Sequence, residues 1–343
     1  MTNQVLTRAV DGLASGRHMS AEHASAVLRE VMEGRSSEVE TAAFLIALRT
    51  KGETVDEVEG LARTMRELAT PVDAGVDALV DTAGTGGGLP TFNVSTAAAI
   101  VAAGAGCVVA KHGNRSATGR SGSADVIEAL GARIDLEPAG VADCIRSVGF
   151  GFMFAPAHHA AMKHVVPVRR ALAVRTIFNF LGPLTNPAGA TRQLIGVSEP
   201  DYLETIAAAL ARLGSERALV VSGADGVDEV SASGPTQAVE LRDGKLRPAT
   251  ITPEELGVEP ISRDALVGCD PDESAACIRA VLDGDGRPER SIVVMNAAAA
   301  IYVGGRADSL DAGARAAEEA IDSGTARDAM ERFVARTQEL GPS

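Results

Sequence analysis

The order of hydrophobic and polar positions predicts two kinds of structure along the chain. Residues 1–70 repeat with helical periodicity, and Ser37–Glu40 and Thr54–Glu57 have the capping-box sequence that begins a helix. After that part, short apolar strands alternate with helices. The predicted strands are 78–82, 107–111, 150–154, 193–197, 217–222 and 292–295. The predicted helices are 95–104, 123–130, 138–147, 201–213 and 272–283. Such alternation is typical of a mostly parallel sheet flanked by helices.

Three further segments complete the pattern. Residues 157–174 have a helical pattern, and residues 236–262 read as a polar hairpin with its turn inside Glu240–Lys245. Residues 311–338 are predicted to form amphipathic helix. No internal repeat is evident.

We therefore expect an α/β fold with a small all-helical N-terminal domain and a larger α/β domain, whose mostly parallel central sheet is flanked by helices. The predicted small domain covers 1–72, with helices from about 157–185 packing on it, and the large domain covers 73–156 and 186–343. Residues 42–48 are apolar nearly all round their helix. A small helical unit with that much apolar surface predicts a homodimer formed at least partly through residues 1–60.

The composition excludes several classes of function. The chain has 343 residues, 46 acidic and 32 basic, with a net charge of −14. That balance argues against a general nucleic-acid binder, because cation–phosphate contacts dominate such affinity. No apolar run reaches the roughly 18 residues of a membrane span, and Met1–Val5 shows no signal-peptide pattern. The four cysteines, far apart in sequence, suit reduced thiols better than disulfides, so we expect a cytoplasmic protein. From the charge balance and the short apolar runs, we expect neither a nucleic-acid nor a membrane partner. They are Cys107, Cys144, Cys269 and Cys277.

Two segments of this acidic chain contain no carboxylate. Residues 82–124 keep Lys111, Arg115 and Arg120, and residues 144–198 keep six further cations. Buried strands explain missing acids but not retained cations. The pattern therefore indicates a positive field around an anionic ligand.

The first of these segments holds three candidate anion-binding turns. A glycine run at 84–88 follows a predicted strand, Asn93–Thr96 opens an alanine-rich helix, and Lys111–Arg115 follows the next strand. A Ser/Thr/Gly loop then leads into a helix near Ser123. Glycines let backbone N–H groups approach phosphate, and helix N-termini offer unpaired N–H groups. Three such turns so close together predict a phosphate-binding site.

An acidic cluster supplies the counterpart for a metal ion. Asp225, Asp228 and Glu229 follow the predicted strand 217–222 and should lie at the carboxyl end of that strand. Alone, the cluster would be read as a solvated turn. Beside phosphate-binding turns, adjacent carboxylates favour Mg²⁺, which takes few protein oxygens and several phosphate oxygens.

These motifs resemble the anthranilate phosphoribosyltransferase family. The similar stretches occur in the family's order, from about residue 5 to residue 335, and include DTAGTGG, TFNVST, VAKHGNR, AMKHVVPVRR, RTIFNFLGPLTNPA and GVDEVS. The resemblance implies a fold of the nucleoside phosphorylase/phosphoribosyltransferase type, usually dimeric. It also implies transfer of the phosphoribosyl group of 5-phosphoribosyl 1-diphosphate to anthranilate in tryptophan biosynthesis.

Carried over by position, the resemblance implies three groups of site residues. The implied 5-phosphoribosyl 1-diphosphate-binding residues are Gly84, Gly87, Gly88, Thr91, Asn93, Val94, Ser95, Thr96, Lys111, His112, Gly113, Asn114, Arg115, Ser116, Ala117, Thr118, Gly119 and Ser123. The implied anthranilate-binding residues are Gly84, Asn114, His159 and Arg169. Ser95, Asp228 and Glu229 are the implied magnesium ligands, with about two Mg²⁺ ions per subunit. No other acid or base is assigned. His112 is the candidate acceptor for the amine proton, with hydrogen-bond donation or packing as the alternative.

The chain departs from the family near the glycine run. Gly88 stands where the family usually has Asp, and the following loop is one residue short, with Pro90 inside it. Three other functions stay open at this point: a pyrimidine nucleoside phosphorylase, a non-catalytic nucleic-acid-binding homologue, and a transferase acting on another aromatic amine. The acidic balance and the intact Asp228–Glu229 pair oppose the second.

Overall fold

The computed structural model describes residues 2–116, 120–266 and 268–341, and it begins with four helices as predicted. These are α1 (Gln4–Ala14), α2 (Ala21–Met32), α3 (Glu38–Lys51) and α4 (Val55–Glu67). Both predicted capping boxes form, because Ser37 Oγ accepts the Glu40 N–H at 3.3 Å and Thr54 Oγ1 accepts the Glu57 N–H at 3.4 Å. These caps set where α3 and α4 begin.

One seven-stranded sheet forms the centre of the rest of the described chain. Its strands are β1 (Val80–Gly84), β2 (Val109–Gly113), β3 (Phe150–Phe154), β4 (Arg192–Gly196), β5 (Arg217–Gly223), β6 (Thr236–Arg242) and β7 (Lys245–Ile251). They lie in the order β3-β2-β1-β4-β5-β6-β7. Pairing among the first five is parallel, whereas β6 pairs antiparallel with both β5 and β7. The prediction of a mostly parallel sheet is confirmed, and the predicted hairpin forms its edge.

Helices cover both faces of this sheet. The helices that follow α4 are α5 (Val94–Gly104), α6 (Ser123–Ala129), α7 (Pro138–Val148), α8 (Ala155–His158), α9 (Val166–Leu172), α10 (Phe178–Leu181), α11 (Leu203–Arg212), α12 (Pro271–Leu282), α13 (Glu289–Val303), α14 (Leu310–Asp322) and α15 (Thr325–Leu340). None of the helices in the described part of the chain is long and apolar enough to cross a membrane.

Three predicted elements differ from the structure. The strand predicted at 292–295 is wrong, because these residues lie inside α13, a 15-residue helix rich in alanine. An apolar run of that length exceeds a strand, and alanine is the best helix former. The helix predicted over 157–174 is broken at His159 (φ −116°, ψ 57°) into α8, a 3₁₀ turn and α9. The helix predicted over 311–338 is two helices, separated at Gly324 with φ +82°.

Side chains alternate between two cores along each strand. On β4, Leu194 packs with α5, α12, α13 and α14, whereas Ile195 packs on the opposite face with the N-terminal helices and α11. Leu219 and Val220 of β5 divide in the same way. This two-residue period is that of a strand buried on both faces. The N-terminal helices therefore share a core with one face of the sheet.

Candidate active site

The carboxyl ends of the parallel strands open onto one cavity of about 870 Å³. β1 and β2 end at Gly84 and Gly113, and the chain that follows each strand lines the cavity. Asp228 and Glu229, just beyond β5, line it too. Residues from the segment 155–185 form much of the opposite wall. Open parallel sheets bind ligands at this edge, and the volume suits a small molecule.

The predicted site residues converge on this cavity. Those on its wall are Gly84, Gly87, Gly88, Thr91, Asn93, Val94, Ser95, Lys111, His112, Gly113, Asn114, Arg115, Ser116, Ser123, His159, Arg169, Asp228 and Glu229. Thr96 is the exception, because its side chain is fully buried behind the wall. Ala117, Thr118 and Gly119 lie outside the described residues.

The glycine run is shaped to receive the Asp228 carboxylate. The Gly86 N–H donates to Asp228 Oδ2 at 2.8 Å. A Cβ atom added to Gly84 or to Gly88 would lie 2.7 Å from an Asp228 carboxylate oxygen, so a side chain there would displace it. Gly88, where the similar family usually has Asp, thus leaves room for Asp228.

Asn93 joins three segments at the start of α5. Its Oδ1 accepts from Ser121 Oγ and from Ser274 Oγ, each at 2.7 Å, and its N–H donates to Ser274 Oγ at 3.1 Å. The Asn93 side chain makes no capping hydrogen bond to α5. Val94 and Ser95, in the first turn, line the cavity. In this turn the Val94 N–H donates to Phe92 O at 2.7 Å and the Thr96 N–H to Asn93 O at 3.1 Å, so the start of α5 attracts an anion through the positive end of the helix dipole.

Lys111 is buried between acidic groups. It is only 1% exposed, and its Nζ donates to Thr82 O at 2.6 Å and lies 3.3 Å from Ser95 Oγ. Desolvation and then the Asp228 charge raise the pKa of Glu229 to about 8, while Lys111 opposes the rise. Desolvation also raises the pKa of Asp228. Two poorly solvated carboxylates side by side favour binding of a cation in addition to Lys111.

This donor set fits magnesium held jointly with a substrate. In the described part of the chain, no three His, Cys, Asp or Glu residues are placed to hold a metal by themselves. Asp228, Glu229 and the Ser95 hydroxyl offer hard oxygen ligands around one wall of the cavity. Mg²⁺ takes one or two carboxylates and completes its shell with water and phosphate oxygens.

One predicted phosphate-binding residue in the loop after β2 is paired with carboxylates. Arg115 Nη1 lies 2.7 Å from Asp125 and 2.5 Å from Glu128, and its side chain is half exposed. Ser123 Oγ accepts the Asn114 N–H at 3.1 Å, which fixes the loop to the start of α6. The carboxylates of Asp125 and Glu128 therefore offset much of the positive charge that Arg115 presents to a phosphate.

Two neutral histidines face each other at the cavity. The rings of His112 and His159 are 5.1 Å apart. Nε2 of His112 and both ring nitrogens of His159 have no hydrogen-bond partner among the described residues. Burial lowers the pKa of His112 to about 3 and that of His159 to about 4. Both rings are therefore uncharged at neutral pH and can bind a polar ligand.

We expect the free energy of unfolding to fall as the pH drops from 8 to 5, partly through His159. Its pKa is about 4 in the folded chain, against an ordinary value of 6.5. The unfolded chain therefore gains a proton between these values that the folded chain does not, so stability present above about pH 6.5 is lost as the pH falls. The loss at pH 5 is about 2 kcal/mol for this one group.

Denaturant unfolding at both pH values measures the effect. His159→Asn should shrink the difference between pH 8 and pH 5 by about that amount. Only the His159 contribution differs between the unmodified protein and the variant. The comparison therefore separates it from the contribution of carboxylates that titrate in the same range. If the difference in the free energy of unfolding between the two pH values were unchanged in the variant, His159 would not be neutral and buried in the folded chain.

Arg169 of α9 supplies a cation to the opposite wall. Its guanidinium carbon lies 5.6 Å from the centre of the Phe178 ring. Burial lowers the pKa of Arg169. A partly buried guanidinium facing a cavity is suited to a carboxylate ligand, which it can bind through two parallel hydrogen bonds.

The cavity wall also includes residues that no sequence pattern assigns to the site, among them Met65, Ser121, Arg175, Phe178 and Cys269. The acid-free segment 144–198 pointed to Arg175 as a retained cation but gave it no role. Arg175 Nη2 is buried without an acceptor among the described residues. Met65 had no signal, because its helix repeats like any amphipathic helix packed on a core.

Comparisons with known proteins agree along nearly the whole chain. Residues 4–69 match the helical bundle domain of the glycosyl transferase family, and residues 76–327 match its a/b domain. The anthranilate phosphoribosyltransferase of Rubrobacter xylanophilus is 51% identical over 338 residues, 98% of each chain. The anthranilate phosphoribosyltransferase from Thermus thermophilus has a similar structure, with a TM-score of 0.91 and 44% identity over 96% of this chain and 99% of that one. The Saccharomyces cerevisiae enzyme in complex with PRPP and Mg gives a TM-score of 0.89 at 28% identity, covering 98% and 99%.

Proposed function

The chain belongs to the anthranilate phosphoribosyltransferase family, and on that premise we propose which of its residues perform the reaction. The enzyme transfers the phosphoribosyl group of 5-phosphoribosyl 1-diphosphate, the donor, to the amine of anthranilate, the acceptor. Diphosphate is released, and the product enters tryptophan biosynthesis. One observation supports the assignment of residues: the glycine run, the start of α5 and the Asp228–Glu229 pair converge on one cavity.

Backbone N–H groups of the glycine run and the positive end of the α5 dipole bind the diphosphate of the donor. Both segments line the cavity, and neither carries an acidic side chain that would repel phosphate. Ser123 and Asn114, joined by a hydrogen bond, extend this cradle from the other side. Lys111 contributes its charge from beneath, since its ammonium is held by Thr82 and Ser95 oxygens.

Ser95, Asp228 and Glu229 hold magnesium, with about two ions per subunit shared with the donor. When bound, Mg²⁺ offsets the negative charge that grows on the departing diphosphate. The protein's own part is to keep two carboxylates adjacent at the cavity wall. The related yeast enzyme has been crystallised with PRPP and Mg.

The reaction exchanges a carbon–oxygen bond for a carbon–nitrogen bond at the anomeric carbon. The diphosphate leaves with the electron pair of the C–O bond, and the amine lone pair forms the C–N bond. Backbone N–H groups aimed at the diphosphate stabilise the charge where it develops. The new arylammonium is a strong acid, so a weak base suffices to remove its proton. We assign that role to His112, which is neutral and whose Nε2 has no partner within the described chain.

The acceptor lies between Arg169, Asn114, His159 and Gly84. Arg169 pairs with the carboxylate of anthranilate, and the neutral His159 ring borders its aromatic face. All four residues line the same cavity as the glycine run. The acceptor amine thereby lies on the same side of the sheet as the anomeric carbon.

We propose that the enzyme is a cytoplasmic homodimer formed partly through α3. Among the described residues, four of the five exposed large hydrophobic side chains come from α3 or the segment around α9, and Val39 is 78% exposed. The four are Val39, Ile46, Val166 and Val174, of which Val166 also lines the cavity. An exposed apolar surface of this kind is typical of an interface. The four unpaired cysteines suit a reducing compartment.

We expect a dimer mass, twice the 35.2 kDa of one chain, in solution at dilute concentration. Light scattering coupled to gel filtration measures it. Val39→Glu together with Ile46→Glu should shift the mass toward that of one chain, because each buries a charge at the interface. The reference is Leu246→Glu, an exposed apolar residue of β7 outside this surface. A single-chain mass for the unmodified protein would contradict the dimer.

A fluorescence assay tests the function directly. Anthranilate fluorescence is followed with enzyme, with and without donor, and with and without Mg²⁺. We expect anthranilate to be consumed only when the donor and Mg²⁺ are both present. Consumption of another aromatic amine but not anthranilate would point to a different acceptor. Phosphate-dependent release of a pyrimidine base would point to a nucleoside phosphorylase.

A further inference from the structure

Arg175 connects the loop between α9 and α10 with the glycine run. Its Nη1 donates to the carbonyl oxygen of Gly86 at 2.6 Å, and its Nε lies 3.1 Å from a Glu199 carboxylate oxygen. The guanidinium carbon lies 5.6 Å from the centre of the Phe180 ring. Contacts on three sides hold the guanidinium in one orientation.

The glycine run is fitted to this guanidinium. Gly86 and Gly87 have φ of +65° and +83°, in the left-handed region that glycine adopts without strain. A Cβ atom added to Gly87 would overlap Arg175 Nη1. The Gly86 carbonyl also accepts from Ser198 Oγ at 3.0 Å. The backbone of the run and the Arg175 side chain therefore depend on each other.

Arg175 fixes the direction of one backbone N–H group. The Gly86–Gly87 peptide is trans, so the Gly86 carbonyl and the Gly87 N–H point in opposite directions. Because Arg175 binds the carbonyl, it also sets where the Gly87 N–H points. Asp228 sets the direction of the preceding N–H, that of Gly86. The two contacts together determine the conformation of the run.

The same region contacts the N-terminal helices. Arg49 at the end of α3 donates to the carbonyl oxygen of Arg175. The Tyr202 ring stacks on Phe180 with ring centres 4.3 Å apart, and its hydroxyl donates to Glu53, between α3 and α4. Arg175 is thus held in place by the helices as well as by the end of β4.

We propose that Arg175 is a positioning residue for the phosphoribosyl donor, acting through the Gly86–Gly87 peptide. This inference rests on the proposed function, because the donor is the ligand of that peptide. It assigns Arg175 to donor binding, although Arg175 lies six residues from Arg169, which binds the acceptor. A residue that merely supported the fold would affect both substrates alike.

Arg175→Ala should raise the KM for the donor about 10- to 100-fold, as expected for loss of a hydrogen bond from a charged group. The KM for anthranilate should change less than about threefold, since Arg175 is not assigned to the acceptor. Donor affinity measured by calorimetry with Mg²⁺, in the absence of anthranilate, should fall by the same factor as the donor KM rises. Arg175→Lys should recover only part of the loss, because an ammonium lacks the planar fork that reaches two acceptors.

Glu199→Gln is the matched control, because it removes the ion pair but leaves the Gly86 contact. A half-exposed ion pair contributes little, so donor KM should change less than about threefold. An unchanged donor affinity in a folded Arg175→Ala protein would overturn the inference, and so would an equal rise in both KM values. A wild-type enzyme that consumes no anthranilate would instead overturn the proposed function.

Discussion

Replacing Asp228 by Asn and Glu229 by Gln together is expected to lower Mg²⁺-dependent turnover at least about 10³-fold, because each carboxylate offers the ion charged oxygens that an amide cannot replace. The protein should remain folded. Desolvation raises the pKa of both carboxyl groups, because burying their charged forms opposes folding when no divalent cation is bound. The uncharged amides avoid that cost.

Initial rates over a range of Mg²⁺ concentrations test this prediction, with thermal unfolding as the check on folding. The matched control is Asp225→Asn in the same loop. Asp225 Oδ2 accepts hydrogen bonds from Ser231 and Ser233, which an asparagine oxygen can also accept, and Oδ1 accepts the Val227 N–H only at 3.4 Å, so this variant should keep most of its activity. Unchanged turnover in the double variant would remove the metal role of the pair. A similar loss in Asp225→Asn would show that the shape of the loop matters more than its charge.

The elements that surround the site could be predicted from sequence because their signals are local. The glycine run begins at the last residue of β1, and Lys111–Arg115, predicted to follow a strand, includes the last three residues of β2 and the start of the loop after it. The rule that parallel strands share a carboxyl edge then brought these turns together without knowledge of the packing. The predicted strand at 292–295 failed because an apolar run alone does not distinguish strand from buried helix.

The less predictable features depend on contacts between residues far apart in sequence. The ammonium of Lys111 is engaged by Thr82 and Ser95, although its position among acid-free turns suggested a direct phosphate contact. The pairing of Arg175 with Gly86 spans 89 positions and has no pattern in the sequence. Burial, which makes His112 and His159 neutral, likewise follows from tertiary packing.

Arg169→Ala is expected to raise the KM for anthranilate much more than the KM for the donor. Arg169 is partly buried at the cavity wall. Without its guanidinium, the carboxylate of the bound acceptor would lose a charged partner that makes two hydrogen bonds to it. Loss of a charged pair enclosed by the bound ligand costs about 2–4 kcal/mol, which corresponds to roughly 30- to 700-fold in KM. Steady-state kinetics with each substrate varied in turn measures the two constants.

Arg170→Ala provides the comparison, since Arg170 follows in the same helix but is exposed and lies off the cavity wall. It should change both constants by less than about threefold, as surface substitutions do. An acceptor analogue extends the test: aniline, which lacks the carboxylate, should react equally slowly with wild-type enzyme and with Arg169→Ala. If Arg169→Ala raised both KM values equally, the acceptor carboxylate would have to bind elsewhere. Together with Arg175→Ala, which is expected to affect the donor, this variant separates two arginines of one segment by the substrate that each serves.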